Sequence, residues 1–237
     1  MIRAIRLSCR FGFAIEPATA AAIRAHAQEL FPAVAIERIW QELTKGHAFG
    51  KLFPMLMGLH EFGLLEAIFP ELSIEGLAVI EEYPNDAPVI ASLLPLFPHS
   101  TLPQQIALCQ RLKLSKLDQQ FVTFLYSVRH EVPQDLFEWA HRYANPFAEI
   151  AVQISAAHQP KSQKGAFLAE HQKRRALLAR SIERIEQRDP VVKAADLAKV
   201  GIAPGKEMGR LLLEAEKISI NEQIHEPGPI LQKILRR

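Results

Sequence analysis

Apolar residues recur every three or four positions through most of the chain, which is the spacing of a helix with one buried face. The stretch from Ala166 to Gln187 shows this period over its whole length. No alternation of apolar and polar residues long enough for a useful strand is present. The long periodic stretches consist mainly of Ala, Leu, Ile, Glu, Gln, Lys and Arg, which favour helices. The pattern predicts an all-α fold, an elongated array of packed helices.

Three helical patterns occupy the first 48 residues. The first starts at Ile2 with no capping residue before it and stops at Gly12. The second has Pro17 in its first turn and extends to Leu30, and the third runs from about Ala35 to Lys45, closed by Gly46. Because no start signal precedes Ile2, we interpret the opening helix as one that is cut in its middle.

The rest of the sequence divides into a longer helical region and a basic one. From Phe49 to about His158, apolar helical blocks alternate with single glycine and proline residues. The polar segment from His158 to Gly165 predicts a flexible boundary. The long helix, a short helix, a glycine turn and a further helix follow. We therefore predict three regions, at residues 1–48, 49–158 and 159–237.

Charge is distributed unevenly along the chain, although its formal net value is only +2. Residues 1–157 hold 12 Lys and Arg against 16 Asp and Glu, whereas residues 158–237 hold 16 against 10. A basic C-terminal third suits a phosphate-rich partner, and a merely solvated helical surface explains it equally well. Our candidates for phosphate contact are Lys161, Lys164, Lys173, Arg174, Arg175, Lys199, Lys206 and Arg210.

Several classes of protein are disfavoured by what the sequence lacks. No apolar run approaches the roughly 18 residues that span a bilayer, and arginines interrupt the N-terminus where a signal peptide would be apolar. Cys9 and Cys109 are too far apart to indicate a zinc site or a disulfide framework. Both features predict a cytoplasmic protein with no membrane partner.

No catalytic centre is indicated either. Metal-assisted nucleotidyl transfer needs clustered carboxylates, and the five Asp residues include no D-x-D pair. Walker, GxGxxG and HExxH motifs are also absent, and the nine His residues have no metal-ligand spacing. We therefore assign to this chain no catalytic residue, no metal site and no bound cofactor.

Two local patterns are suited to binding phosphate groups. Arg3, Arg6 and Arg10 lie three and four positions apart, so one helix face can present their guanidinium groups to a triphosphate, although ordinary surface salt bridges are the commoner explanation. Gly201 and Gly205 bound a turn before a helix, where free backbone N–H groups can meet a phosphate oxygen. Such turns also simply join helices.

Four segments, in this order and spacing, carry a resemblance to a known family: RAIRLSCRFGFAIEPATAAAI, ERIWQELTKG, LHEFGLLEAIFPEL and KAADLAKVGIAPGKEMGRLLLEAE. They resemble the neck, body and tail of class II CCA-adding enzymes, the tRNA nucleotidyltransferases, and of bacterial poly(A) polymerases. The resemblance covers most of the chain, and it is more specific in the neck and tail than in the middle.

In that family, arginines at three-residue steps on the neck helix contact the incoming nucleotide, and by resemblance Arg3 and Arg6 take this role with ATP or CTP. Arg38, Glu42 and Lys45 resemble a second neck motif that braces the helices. The acidic pair and the first arginine of the family's neck helix are not present in this sequence.

The resemblance implies Mg²⁺ and ATP or CTP for the complete enzyme, bound in a catalytic head whose motifs this sequence lacks. We expect this chain alone to incorporate no nucleotide. A degraded gene, a deliberately shortened protein and one half of a split enzyme all remain open. For the split enzyme, Ile2, Ile5 and Cys9 would offer a separately encoded head an exposed apolar docking stripe.

The predicted function is therefore to hold RNA, either a tRNA acceptor arm or an mRNA 3′ end, for CCA addition or polyadenylation. The alternative is a helical scaffold for protein interactions with no nucleic-acid role, in which the basic third of the chain only aids solubility.

Overall fold

A computed structural model of the chain describes residues 1–50 and 52–236. Those residues form α-helices and short 3-10 turns, and none of them lies in a β-strand. The all-α prediction is therefore confirmed. The chain divides into two compact units: unit 1 comprises Met1–His130 with Gln153–Gln159, and unit 2 comprises Glu131–Val152 with the chain from Pro160 onward. The three regions predicted from the sequence stay a prediction.

The described residues of Met1–His130 in unit 1 form eight α-helices, the 3-10 turn Ala27–Glu29 and a later run of 3-10 turns. The helices are α1 (Ile2–Phe11), α2 (Pro17–Ala25), α3 (Leu30–Ala33), α4 (Ile36–Ala48), α5 (Leu52–Glu61), α6 (Leu64–Ile68), α7 (Leu102–Arg111) and α8 (Lys116–His130). Between α6 and α7 the chain forms the 3-10 turns Ile74–Gly76, Ala78–Glu82, Val89–Ser92 and Leu94–Leu96. Helical blocks were expected there, but repeated prolines remove the backbone N–H groups that longer α-helices need.

The close packing of α1, α4 and α5 organises the start of unit 1. Helix α1 contacts both α4 and α5, and its Ile2 and Ile5 are buried in that contact. A Cβ added at Gly58 would lie 2.8 Å from Cγ2 of Ile5, so the absence of a side chain lets α1 and α5 approach closely.

Gly46 was predicted to end the third helix, and this prediction is wrong. Helix α4 continues through Gly46 to Ala48. A Cβ on Gly46 would overlap Sδ of Met55 on α5, so this glycine serves helix packing and not helix termination. The sequence pattern alone does not distinguish these two roles.

Unit 2 contains α9 (Leu136–Tyr143), the first residues of α10 (Ala148–Ala157), α11 (Lys161–Gln187), α12 (Ala194–Lys199), α13 (Lys206–Asn221) and α14 (Pro227–Leu235). Helix α9 packs against α11 and α13, around a core that includes Tyr143, Leu178, Ile182 and Ile220. A second core joins α12, α13 and α14 through Leu197, Met208, Leu211, Ile230 and Ile234.

The segment from His158 to Gly165 was expected to be flexible, and the structure corrects this. Helix α11 begins at Lys161, directly after Pro160, whose φ of −52° suits the residue before a helix. The first turn carries only polar side chains because it faces water, and hydrophobic periodicity therefore could not reveal it.

Gly76 provides a test of the packing in unit 1. A Cβ at this position would overlap the carbonyl oxygen of Pro95 and lie 2.8 Å from its carbonyl carbon, and the backbone cannot rotate away as a flexible side chain can. We expect Gly76→Ala to lower the free energy of unfolding by about 1–3 kcal/mol, measured by urea denaturation.

The matched control is Gly165→Ala within α11, where an added Cβ meets nothing within 4 Å. Replacing this exposed helical glycine should stabilise unit 2 by roughly 0.5–1 kcal/mol. An unchanged stability of Gly76→Ala would contradict the packing described for the 3-10 turns.

Candidate nucleic-acid interface

The three arginines of α1 have different environments. Arg3 and Arg10 are exposed, whereas Arg6 is 6% exposed. Arg6 follows the buried Ile2 by four positions, which turns it toward the packed face of the helix. The predicted common stripe is therefore split. Arg3 faces solvent, and its side chain makes no hydrogen bond or ion pair among the described residues.

Arg6 joins α1 to α4 through a carboxylate. Its Nε donates to Oε2 of Glu42 at 2.6 Å, and the two side chains are only 7% and 18% exposed. Lys45 donates to the other oxygen of Glu42 at 3.2 Å. Burial alone would raise the pKa of Glu42, but the hydrogen bonds from Arg6 and Lys45 hold it below its usual value. Glu42 is thus held as a carboxylate between two cations.

The other residues of the predicted bracing group and of the arginine stripe lie around this pair. Arg38 is exposed on α4 and makes no ion pair within the described part of the chain. Arg10 places its guanidinium 3.8 Å from the ring centroid of Phe49 and 4.9 Å from that of Phe11. The roles of Arg3 and Arg6 in nucleotide binding, and of Arg38, Glu42 and Lys45 in bracing, stay predictions.

The apolar stripe that was expected to dock a separate head is not available for docking. Ile2 and Ile5 are 5% and 2% exposed, because α4 and α5 of the same chain cover them, and Cys9 is half-buried. The expectation of an exposed stripe is therefore wrong, since the sequence did not reveal that α1 has partners within its own unit.

In unit 2, Arg174 and Arg175 are tied into an aromatic cluster on α9 and α11. The guanidinium of Arg174 lies 4.1 Å from the ring centroid of Trp139, and its Nη2 donates to Glu170 at 2.6 Å. Arg175 forms an ion pair with Glu149. Both arginines thus contribute to packing, as well as being candidates for phosphate contact.

The sequence reasoning did not single out the aromatic members of this cluster. The ring of Trp139 stacks on that of Tyr143 with a centroid distance of 5.4 Å, and the Tyr143 hydroxyl lies 2.9 Å from Nδ1 of His171. Burial, followed by the nearby charge of Arg174, lowers the pKa of His171. The available signal was the four-residue spacing of Trp139 and Tyr143 on α9.

The remaining candidate cations are more accessible. Lys161, Lys173 and Lys206 are exposed and, within the described residues, have no ion-pair partner. Lys164 is half-buried and has an interaction within the chain. Lys199 pairs with Asp196 at 3.3 Å and Arg210 with Glu207 at 2.7 Å, and in both pairs the basic side chain is at least 60% exposed. Arg210 also pairs with Glu214 at 3.1 Å, and the Glu214 side chain is only 21% exposed. A single surface pair such as Lys199–Asp196 is weak, so an incoming phosphate can replace the carboxylate there.

The glycine turn between α12 and α13 has the predicted form. Gly201 has φ of +87°, a conformation that favours glycine, and Gly205 is the residue before α13. The Gly201 N–H already bonds to the carbonyl of Ala198, but no side chain caps the start of α13. The N–H groups of that first turn are the ones suited to an anion. The roles of both glycines and of the basic residues stay predictions.

Residues 1–50 and 52–236 contain no group of three or more His, Cys, Asp or Glu side chains placed to hold a metal ion. None of their helices combines the length and the apolar character that crossing a membrane requires.

The sequence is similar to those of known nucleotidyltransferases. Residues 12–75 match the family model described as the probable RNA and SrmB-binding site of polymerase A. The mitochondrial CCA tRNA nucleotidyltransferase 1 of Danio rerio is 31% identical over 84% of this chain and 45% of its own length. These matches relate the chain to the body region of the class II CCA-adding enzyme and poly(A) polymerase family.

Further similarities concern a second relative and the fold. The Multifunctional CCA protein of Chromobacterium violaceum is 38% identical over 30% of this chain and 18% of its own length. A solved CCA-adding enzyme in complex with ATP shares the fold, with a TM-score of 0.58 and 16% identity over 99% of this chain and 59% of that one. The chain thus spans less than half the length of these two curated family members.

The Arg6–Glu42 pair yields a stability test. We expect Glu42→Gln to lower the free energy of unfolding at neutral pH by about 1–2 kcal/mol, because it removes a charged acceptor from the buried Arg6. The folded-state pKa of Glu42 lies below its unfolded value, so its contribution is complete above that unfolded value, about 4.3, and disappears as the pH falls through the folded-state pKa.

Urea denaturation at a series of pH values measures this difference, with Glu37→Gln on the same helix as the control. Glu37 pairs with Lys113 at an exposed position, so its replacement should have a much smaller effect. Equal losses for the two variants, or a Glu42→Gln deficit that does not shrink as the pH is lowered below about 4.3, would contradict the role given to the pair.

Proposed function

We propose that this chain is the RNA-holding part of a CCA tRNA nucleotidyltransferase or a poly(A) polymerase, acting in the processing of RNA 3′ ends. The observation that carries the proposal is the 31% identity with a CCA tRNA nucleotidyltransferase across 84% of the chain. The family model that matches residues 12–75 is itself described as a probable RNA-binding site. The proposed ligand is a tRNA acceptor arm or an mRNA 3′ end.

Unit 2 would supply most of the contacts to the RNA backbone. The exposed ammonium groups of Lys161, Lys173 and Lys206 are available without breaking any ion pair of the described residues. Lys199 would exchange its pair with Asp196, and Arg210 its pairs with Glu207 and Glu214. Phosphate contacts of this kind give affinity without sequence selectivity. Arg3, on α1 of unit 1, is the corresponding free cation for a nucleotide phosphate.

The proposal assigns the bond-making step to residues outside this sequence. Mg²⁺ and ATP or CTP would bind to the catalytic head of the complete enzyme, which a separately encoded polypeptide would supply if the enzyme is split. A cytoplasmic location fits this function. The choice between CCA addition and polyadenylation would rest with the head.

The proposed function predicts a strong dependence of affinity on salt. Each phosphate contact contributes about −0.9 to the slope of log affinity against log salt concentration. With about four phosphates engaged, the affinity for tRNA should fall roughly a hundredfold over a fourfold rise in salt concentration. Replacing Lys173 and Lys206 together by alanine should reduce the magnitude of that slope by about 1.8. Filter binding with labelled tRNA measures both quantities.

The control replaces two exposed lysines of unit 1, Lys113 and Lys116, by alanine and thus removes the same charge. This variant should retain the wild-type slope. A complex that is insensitive to salt, no complex at all, or equal slopes for the two double variants would contradict the proposed placement of the RNA.

A further inference from the structure

A cavity of about 470 Å³ in unit 1 is not used by the proposed backbone contacts. Its volume falls within the range of about 300–1,000 Å³ that is usual for small-molecule sites. Exposed residues such as Glu71, Gln104 and Arg111 contribute to its lining, so the cavity is open to solvent. It therefore has the size and access of a ligand site.

Three of the residues that line the cavity are phenylalanines. Phe69 is 1% exposed, so Phe31 and Phe97 offer the more accessible ring surfaces. Phe31, Phe69 and Phe97 all line the cavity, and the rings of Phe69 and Phe97 meet edge to face with their centroids 5.8 Å apart. The guanidinium of Arg111 lies 5.3 Å from the ring centroid of Phe31 and 5.8 Å from that of Phe69. Phenyl rings and a planar guanidinium both stack on flat heteroaromatic rings.

Polar groups of the lining are held in place by neighbouring residues. Nη2 of Arg111 donates to the carbonyl of Ile68 at 2.6 Å, which fixes the guanidinium. Gln105 is 7% exposed, and its Nε2 donates to Oγ of Ser100 at 3.1 Å. The Oε1 of Gln104 accepts from the N–H of Thr101 at 2.8 Å. Fixed side chains of this kind leave a donor on Gln104 and an acceptor on Gln105 for a ligand.

The charge of the lining favours a neutral ring over a phosphate. Arg111 is accompanied by the carboxylate of Glu71, so these two lining residues have no net charge. A carboxylate also repels an anion, whereas it accepts hydrogen bonds from the amino groups at the edge of a base. A purine combines a large flat face with both donors and acceptors at its edge, as the lining requires.

We propose that this cavity binds a purine base. The base can belong to a free nucleoside or to an unpaired nucleotide of an RNA, and only the second source rests on the proposed RNA-holding function. Either source uses the same stacking and edge contacts with the cavity residues.

Calorimetric titration of the full chain with adenosine tests the proposal directly. Adenosine should bind with a Kd of roughly 0.1 mM, the affinity usual for a ligand of its size. Ala107→Trp places an indole on the cavity side of α7 and should weaken binding at least about tenfold. Gln110→Trp, on the same helix but outside the lining, should bind within about twofold of the wild type.

Arg111→Met serves as a second variant, with thermal denaturation to establish that each variant is folded. This substitution should also weaken the binding of adenosine, because it removes the guanidinium that stacks on the base. Absence of saturable heat with adenosine, or wild-type binding by a folded Ala107→Trp chain, would overturn the proposal.

Two short single-stranded RNAs distinguish a free nucleoside from an RNA base as the natural ligand. One has a single adenine among uridines, and the other lacks that adenine base. If an RNA base occupies the cavity, the adenine-containing RNA binds more tightly, and Ala107→Trp removes the difference. Binding of adenosine without binding of either RNA would uphold the cavity and reject the RNA-holding function. If all variants bind both RNAs equally and none binds adenosine, the RNA-holding function is upheld and the purine site is rejected.

Discussion

The buried ion pair between Arg6 and Glu42 fixes the geometry of the first helices. An arginine side chain that is 7% exposed requires a partner for its charge, and Glu42 on α4 supplies it at 2.6 Å. The pair sets the rotation of α1, which places Ile2 and Ile5 against α4 and α5 and leaves Arg3 in solvent. The exposed position of Arg3 therefore depends on the Arg6–Glu42 pair, which is itself largely buried.

The basic residues of unit 2 discussed above have two kinds of environment. Arg174 and Arg175 lie on aromatic rings and pair with acidic residues, so they stabilise the contact between α9 and α11. Lys161, Lys173 and Lys206 face water and, among the residues described, have no ionic partner. Cations of the second group can bind a phosphate without loss of internal contacts, which makes them the stronger candidates for RNA.

The sequence was sufficient for the helical class, because buried stripes follow the helical period. It failed where tertiary contact decides the role of a residue. Gly46 resembles a helix end but accommodates Met55, and Arg6 resembles its neighbours Arg3 and Arg10 but is buried. The cavity beside Phe69 was also beyond prediction, because its walls come from segments far apart in sequence. Periodicity describes one helix at a time and does not identify its partners.

The most direct test of RNA holding is to crosslink 4-thiouridine-substituted tRNA to the purified chain and to identify the modified peptides by mass spectrometry. The account predicts crosslinks in α11 and in the segment from α12 to the first turn of α13, suppressed by excess unlabelled tRNA. Crosslinks that are absent, that persist in the presence of the competitor, or that avoid both segments would contradict it.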